Sequence, residues 1–138
     1  MTGHPSNEPI LGYAPGSPER DELQAEMDRQ TGEVIEIPCI INGEEIYTGI
    51  TTTQVIPHDH GHVLANVHLA GRGEMEAACA AAVAAQVAWI DLGLEGRCTV
   101  FERCADLLAG DWRMRVNAAT MLNQSKTAFQ AEIDAACE

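Results

Sequence analysis

The sequence predicts an α/β fold for one domain, and three observations support that expectation. Residues 34–69 contain three β-rich runs, two of which flank a turn signal. From residue 74 onward, apolar residues recur at the three- and four-residue spacing of amphipathic helices. The chain has 138 residues, of which 46% are hydrophobic, so it can bury a core and differs in composition from a disordered segment. We therefore expect a small sheet with a hairpin at its edge, covered by a layer of helices.

The first sixteen residues are expected to be irregular, because they contain three prolines and three glycines. Ser17 and Pro18 then predict the start of a helix, since serine can cap a helix and proline is tolerated at its first position. Leu23 and Met27 are one turn apart and form only a thin apolar stripe. Most of this helix surface is therefore expected to face solvent.

Three strands are expected in the next part of the chain. Residues 34–41 and 46–55 flank Asn42-Gly43, a strong hairpin signal because both turn residues need a positive φ. Pro38 lies inside the first run and confines it to a sheet edge or a bulge. A third strand is expected over residues 63–69.

Four further helical segments follow. They are predicted over residues 74–89, 97–108 and 111–122 and from residue 128 to the end of the chain, with a break bracketed by Gly93 and Gly96. Thr127 and Gln130 have the spacing of a capping box, in which each side chain binds the other residue's backbone amide. The last helix carries an apolar stripe of Phe129, Ile133 and Cys137.

That last helix lacks a closing signal. No Gly, Asn or Pro follows it, and Glu132, Asp134 and Glu138 bring negative charge toward its negative dipole end. On this basis we expect the chain to be a truncated part of a longer protein.

Charge and composition exclude several classes of partner. The chain carries 8 Lys+Arg against 21 Asp+Glu, for a formal net charge of −13. Nucleic acids and anionic membranes bind clustered cations, so we expect neither as a partner. The sequence contains no apolar run near the ~20 residues that cross a bilayer, and its start resembles neither a signal peptide nor a transit peptide. The five cysteines show no CxxC spacing. We expect a cytoplasmic protein with reduced thiols.

The most suggestive polar cluster is a set of alternating histidines. His58, His60 and His62 would share one face of an extended strand, and imidazole binds Zn, Cu or Ni. They alternate with Pro, Asp and Gly, which favour a turn, and a turn would destroy that alignment. The turn is the main interpretation, and a metal-binding module is the alternative.

Ser125-Lys126-Thr127 resembles the end of a phosphate-binding loop, but that loop needs glycine where this chain has Ser125 and Thr120. A helix cap with a tethering lysine is the simpler interpretation. Trp89 and Trp112 are expected to be core or interface anchors. The cysteines lie on apolar helix faces, among alanines or within a strand, as buried thiols usually do. The sequence contains no GxGxxG, HExxH or GxSxG motif, so the residues alone provide no catalytic or metal site.

Several longer motifs carry a resemblance to a known family. They are Asn7-Glu-Pro-Ile-Leu, Gly16-Ser-Pro-Glu-Arg-Asp, Ile37-Pro-Cys-Ile-Ile, Val55-Ile-Pro-His-Asp-His-Gly-His, Ala105-Asp-Leu-Leu-Ala-Gly, Ala119-Thr-Met-Leu-Asn-Gln-Ser-Lys-Thr and Gln130-Ala-Glu-Ile-Asp-Ala-Ala-Cys-Glu. The chain from Asn7 onward resembles the N-terminal part of the 1-pyrroline-5-carboxylate dehydrogenases, a branch of the aldehyde dehydrogenase superfamily.

The resemblance implies an aldehyde dehydrogenase-like fold with a Rossmann-like NAD domain, a catalytic domain and an oligomerisation flap. Residues 17–138 would be the N-terminal portion of the NAD domain, preceded by an irregular segment over residues 1–16. The family's catalytic cysteine, general-base glutamate, oxyanion asparagine and main NAD contacts all lie further along, so no catalytic or cofactor residue is assigned to this chain. Glu138 is the one site residue that the resemblance assigns to this chain, and it would face the substrate's amino group.

The implied activity is the NAD-dependent oxidation of L-glutamate γ-semialdehyde to L-glutamate in proline degradation, by a homo-oligomer. The resemblance implies that this segment alone is inactive. The competing functions are the His-rich metal-binding module and an interaction module that uses its acidic helices to cap a partner.

Overall fold

The computed structural model describes residues 8–137. In those residues we number five strands β1–β5, five α-helices α1–α5 and one π-helix in chain order. They are α1 Pro18–Thr31, β1 Ile35–Ile37, β2 Cys39–Ile41, β3 Glu44–Ile46, β4 Thr51–Ile56, β5 Asp59–His68, α2 Arg72–Asp91, α3 Gly93–Ala109, α4 Arg113–Gln124, α5 Ala128–Ala131 and the π-helix Glu132–Cys137. The α/β fold class predicted from the sequence is confirmed.

The long strand β5 is the centre of the main sheet, whose strand order is β1-β5-β4. Strand β1 runs parallel to β5, with Ile35 opposite Ala65. Strand β4 runs antiparallel to it, and the register shifts between Gln54 and Ile56. Strands β2 and β3 form a separate antiparallel pair. The main sheet therefore has two short edge strands, β1 and β4.

The predicted Asn42-Gly43 hairpin is confirmed. It joins β2 to β3, and its two residues have φ values of 53° and 82°. The run at 34–41 is not one strand, however, because Pro38 separates β1 from β2 and the two strands enter different sheets. Proline lacks the N–H that a continuous ladder needs at this position.

The second predicted strand, over residues 46–55, is also divided. Residues 47–50 leave the ladder, and Gly49 has a φ of 78°. The side chain of His68 holds this bend, since its Nδ1 accepts the N–H of Gly49 at 3.1 Å and its ring packs edge-on against Tyr47. A contact between residues about 20 positions apart therefore decides where β3 ends and β4 begins.

The third strand begins earlier than predicted. Strand β5 begins at Asp59 rather than at residue 63, because only Pro57 and His58 form the turn that connects it to β4. Asp59 pairs directly with Ile56 across that turn. The pairing with β4 overrides the turn preference of the following residues.

The first helix follows the prediction in its bounds and its mainly solvent-facing surface. Pro18 begins it and Gly32 ends it, but the side chain of Ser17 makes no capping hydrogen bond. Ser17 occupies the predicted N-cap position, and only the expected side-chain hydrogen bond is wrong. Leu23 is buried and 3% exposed, and it joins a small core with Tyr13 and Ala118. Helix α1 thus packs on α4 through its thin apolar stripe.

Helices α2 and α3 meet at an angle of 113°. The break is a single residue, Leu92, followed by Gly93 with a φ of 66°. Gly96 lies inside α3, so the break is shorter than predicted. Within the described residues, neither helix contains a buried side chain. Across residues 8–137 no single helix has the length and apolar character to cross a membrane, although α2 and α3 taken together meet those two criteria.

The chain's last helical segment departs most from the prediction. The capping box is present, with the Thr127 amide 3.0 Å from Gln130 Oε1 and the Gln130 amide 3.3 Å from Thr127 Oγ1. Only four residues then follow α-geometry before the π-helix begins. Phe129 is 59% exposed, so the expected apolar stripe is wrong at that position. The wider π-turn places Glu132 and Ala136 in the buried positions instead.

The two tryptophans do not contribute to the core of the described chain. Trp89 is 39% exposed and Trp112 is 46% exposed. Trp89 packs edge-on against Phe101, which is itself exposed, and Trp112 lies beneath the guanidinium of Arg115. The core alternative is therefore wrong for both, and the interface alternative stays a prediction.

The packing of α1 on α4 yields the first testable expectation. Leu23→Ala should lower the free energy of unfolding by about 2–4 kcal/mol, because it leaves a cavity beside Tyr13 and Ala118. Leu94→Ala is the matched control, since Leu94 is 70% exposed, and it should cost less than about 0.5 kcal/mol. Urea denaturation followed by circular dichroism measures both. Equal costs would contradict this core.

Candidate functional site

A fully buried carboxylate lies where the π-helix meets α4. Oε1 of Glu132 accepts the backbone N–H of Leu11 at 2.8 Å. Oε2 accepts the hydroxyl of Tyr13 at 2.5 Å and Nδ2 of Asn117 at 2.7 Å. Arg113 donates to both oxygens, with Nε 3.3 Å from Oε2 and Nη2 in contact with Oε1. We call these five residues the Glu132 cluster.

The partners in the cluster are held by contacts of their own. Arg113, also buried, donates through Nη2 to the carbonyl of Pro9 at 2.6 Å and through Nη1 to that of Ala109 at 3.4 Å. Nδ2 of Asn117 donates to the hydroxyl of Tyr13 at 2.9 Å as well as to Glu132. The cluster therefore joins the irregular segment before α1 to α4 and the π-helix.

The electrostatics of the cluster follow from this geometry. Burial on its own would raise the pKa of Glu132, but the hydrogen bonds from Arg113, Tyr13, the Leu11 amide and Asn117 outweigh it, so the pKa lies below its ordinary value. Burial and the hydrogen bond to Glu132 raise the pKa of Tyr13. The carboxylate is thus charged and the phenol neutral near pH 7. A carboxylate enclosed by so many donors holds segments together and is poorly placed to accept a proton from a substrate.

Sequence reasoning missed this cluster. It treated Glu132 as a charge of the wrong sign near a helix end, because a carboxylate in a solvated helix turn has that effect. One signal was present in the sequence: Arg113 and Asn117 are four residues apart and therefore share a face of α4. Nothing in the local pattern showed that Tyr13, about a hundred positions earlier, would complete the site.

The alternating histidines are not gathered around one point. His58 lies in the β4–β5 turn, and its Nδ1 shares a 2.6 Å hydrogen bond with the hydroxyl of Ser125. Nε2 of His62, on strand β5, donates to the carbonyl of Thr31 at 3.0 Å. Among residues 8–137, no three His, Cys, Asp or Glu side chains are grouped so that they could hold a metal ion. The metal-binding alternative therefore has no geometry to support it in this part of the chain.

Ser125, Lys126 and Thr127 connect α4 to α5, and each has a different side-chain partner. Ser125 has a left-handed backbone, with a φ of 54°, and binds His58. Lys126 pairs with Asp134, and Thr127 forms the capping box. The interpretation as a cap with a tethering lysine is confirmed. A phosphate cradle would need backbone amides freed by glycines, which this link lacks.

An open groove of about 620 Å³ lies between the end of α1, strand β1 and α4. Charged groups at its rim are already paired. The guanidinium of Arg115 lies 4.8 Å from the ring centre of Trp112, and the hydrogen bond from Arg29 is the main cause that lowers the pKa of Glu26 to about 2. The groove therefore presents a mixed surface without a converging set of reactive groups.

The remaining predicted site residue is Glu138, which lies outside the described residues. The cysteines at positions 39, 79, 98 and 104 are free thiols. Sγ of Cys39 lies 3.5 Å from the carbonyl of His68. None of these four thiols is hydrogen-bonded to a histidine side chain that could act as its base.

Comparison with known proteins decides the family. A family model described as the aldehyde dehydrogenase family matches residues 47–137. The chain belongs to the aldehyde dehydrogenase family. It is 44% identical over 134 residues to the delta-1-pyrroline-5-carboxylate dehydrogenase of Agaricus bisporus, and 41% identical over 133 residues to the mitochondrial enzyme of that name from Homo sapiens. Each alignment covers 96% of this chain and 24% of the relative.

Solved structures agree with the sequence relatives. The fold matches the delta-pyrroline-5-carboxylate dehydrogenase of Mycobacterium tuberculosis with a TM-score of 0.95 and 42% identity, over 100% of this chain and 26% of that one. It matches a Thermus 1-pyrroline-5-carboxylate dehydrogenase with bound NAD at a TM-score of 0.87 and 27% identity, over 99% of this chain and 26% of that one. The predicted aldehyde dehydrogenase-like fold is confirmed. This aldehyde dehydrogenase chain spans about a quarter of the length of the relatives it matches.

The buried ion pair gives a second testable expectation. Glu132→Gln should lower the free energy of unfolding by about 3–5 kcal/mol, because it removes the carboxylate charge that faces the buried guanidinium of Arg113. Glu76→Gln breaks the exposed pair with Arg72 and should cost at most about 0.5 kcal/mol. Thermal and urea denaturation of the two variants separate these cases. A cost for Glu132→Gln no larger than that for Glu76→Gln would show that the cluster does not stabilise the fold.

A third expectation concerns pH. The lowered pKa of Glu132 contributes stability that is present above its ordinary value of 4.5 and is lost as the pH falls toward the folded value. The raised pKa of Tyr13 contributes stability that is present below its ordinary value of 10.0 and is lost as the pH rises beyond it. The melting temperature should therefore decline on both sides of a neutral plateau.

The decline in melting temperature at high pH tests the contribution of the Tyr13 hydroxyl. Tyr13→Phe should remove most of the decline above pH 10, because phenylalanine cannot ionise. Tyr47→Phe should leave most of it in place, since Tyr47 is exposed and bound to Glu45 at the surface. Melting curves between pH 8 and 11.5 measure both, and identical alkaline declines in the two variants would contradict the assignment to Tyr13.

Proposed function

We propose that this chain is the N-terminal portion of an NAD-dependent dehydrogenase that oxidises L-glutamate γ-semialdehyde, in equilibrium with 1-pyrroline-5-carboxylate, to L-glutamate in proline degradation. The observation that carries the proposal is the match to the Mycobacterium tuberculosis enzyme, at 42% identity and a TM-score of 0.95 over the whole of this chain. Agreement of that kind over every element favours a shared role for the segment as well as a shared ancestor.

The role of the segment in such an enzyme is to supply surface and support. Helices α2 and α3 comprise 20 and 17 residues, with no buried side chain in either among residues 8–137. Amphipathic helices gain most of their stability from a covered apolar face. The proposal accounts for this exposure, because the remaining three quarters of an aldehyde dehydrogenase would offer surfaces to cover it.

The NAD of that enzyme would be held elsewhere. The described residues do not fit its phosphates, since the Gly71 amide at the start of α2 donates to Glu74, the link before α5 lacks glycine, and the ammonium of Lys126 is paired with Asp134. We propose that NAD and the catalytic groups belong to the part of the enzyme that this chain does not include, and that residues 17–138 form the opening portion of its NAD domain after an irregular segment over residues 1–16.

Glu138 is the residue we propose to face the substrate. Glutamate γ-semialdehyde carries an α-ammonium group, and a carboxylate is the complementary partner for it. We further propose a homo-oligomer located in the cytoplasm. The free thiols of the four cysteines named above fit a reducing compartment, although the human relative is named as a mitochondrial protein.

A chimera tests the function directly. The corresponding quarter of the Mycobacterium tuberculosis enzyme is replaced by this chain, and NADH formation from glutamate γ-semialdehyde is followed at 340 nm. We expect kcat/KM within about tenfold of the parent enzyme, because the two segments share their fold. In the chimera, Glu138→Gln should raise KM for the substrate at least tenfold, about 1.4 kcal/mol of lost charge pairing. Glu22→Gln, on the solvent-facing surface of α1, is the matched control.

The chain without that partner is the negative control, and we expect no steady NADH formation from it. Steady turnover by the 138-residue chain would contradict its assignment as a supporting portion. A chimera that assembles to the parent's size and oxidises other aldehydes, but not glutamate γ-semialdehyde, would contradict the proposed substrate.

A further inference from the structure

Two uncommon backbone conformations meet on one carboxylate. Tyr13 has a φ of 48°, in the left-handed region that a bulky aromatic residue rarely adopts. Glu132 is the first residue of a π-helix, a form that occurs mostly as single turns inserted at special positions. The hydroxyl of Tyr13 donates to the carboxylate of Glu132 at 2.5 Å. A buried hydrogen bond therefore joins the two residues whose backbones have these uncommon conformations.

The segment that carries Tyr13 is held at three successive points. We call residues 9–13 the strap. The carbonyl of Pro9 accepts from Arg113 at 2.6 Å, the amide of Leu11 donates to Glu132 at 2.8 Å, and the hydroxyl of Tyr13 donates to Glu132. Every one of these bonds spans more than a hundred residues of sequence. The strap has no helix or strand of its own, so these contacts determine its course.

The left-handed backbone of Tyr13 indicates that several contacts together fix the path of the strap. Arg20 donates to the carbonyl of Tyr13 at 3.4 Å, and Asn117 donates to its hydroxyl at 2.9 Å. A left-handed aromatic residue persists only where its surroundings impose it, and such strain collects where geometry matters. Here the imposed geometry delivers a phenol and a backbone amide to the two oxygens of a single side chain.

The π-helix begins at the residue that the strap holds. Helix α5 has α-geometry up to Ala131, and the change to the wider turn begins at Glu132, the residue the strap holds. In an α-helical register the following residues would rotate relative to that carboxylate, and the buried position of Ala136 would be lost. We propose that the strap is a clamp that positions Glu132 and so selects the π-helical register of Glu132–Cys137. The proposal is independent of the enzyme's substrate.

Amide hydrogen exchange of the 138-residue chain, resolved by NMR, tests this proposal. Tyr13→Phe removes the phenol donor while keeping the ring. We expect the amides of residues 133–137 to exchange at least tenfold faster, while those of α1 and the first turns of α4 change less than threefold. Tyr47→Phe is the matched control, since it removes a hydroxyl bound to a surface carboxylate, and should change none of them.

A milder variant keeps the test decisive if Tyr13→Phe does not fold. Arg20→Ala removes only the donor to the carbonyl of Tyr13 and should accelerate the same five amides about twofold to threefold. An equal acceleration throughout the chain, or none at residues 133–137, would mean that the cluster stabilises the fold without selecting the register. Exchange of these amides at the unfolded rate in the unsubstituted chain would likewise overturn the proposal.

Discussion

A carboxylate removed from water needs hydrogen-bond donors or a counter-charge, and this requirement determines how the π-helix packs against the rest of the described chain. Glu132 is buried beside Arg113, and donor atoms from the segment before α1 and from α4 converge on its two oxygens. An ion lacking such partners would cost several kcal/mol in this setting. The hydrogen bonds to this carboxylate and to Arg113 therefore join the segment before α1, helix α4 and the π-helix, which are distant in sequence.

Local chemistry predicted much of the fold. The Asn42-Gly43 hairpin, the start of α1 at Pro18 and the Thr127–Gln130 capping box follow from residues that are neighbours in sequence. The departures have distant causes. His68 shapes the bend before β4, and pairing with Ile56 extends β5 back to Asp59. The Glu132 cluster could not be predicted from the spacing of apolar residues. That spacing assigns a glutamate to the solvent-facing side of a helix, and it carries no information about contacts with Tyr13.

The family motifs and the contacts of individual residues account for different properties of this chain. The motifs identify an aldehyde dehydrogenase, which no composition or periodicity could do, and the chain spans about a quarter of its relatives. The contacts of the residues explain why that quarter shows so little reactive chemistry: His58 binds a hydroxyl, His62 binds a carbonyl, Lys126 binds a carboxylate, and the buried Glu132 accepts several hydrogen bonds. These polar groups form hydrogen bonds and ion pairs between helices, strands and loops. Few of their polar atoms are therefore left to bind a ligand.

Because a single residue separates α2 from α3, a small rotation of the backbone at this junction would produce a large displacement of the far end of α3. Seventeen residues of α3 extend about 25 Å at 1.5 Å per residue, so a rotation of roughly 10° at Gly93 would move the far end of the helix by roughly 4 Å. A side chain at that position would meet a φ of 66°, a left-handed conformation that glycine adopts more readily than other residues. The left-handed backbone at Gly93 therefore sets the direction of α3 relative to α2.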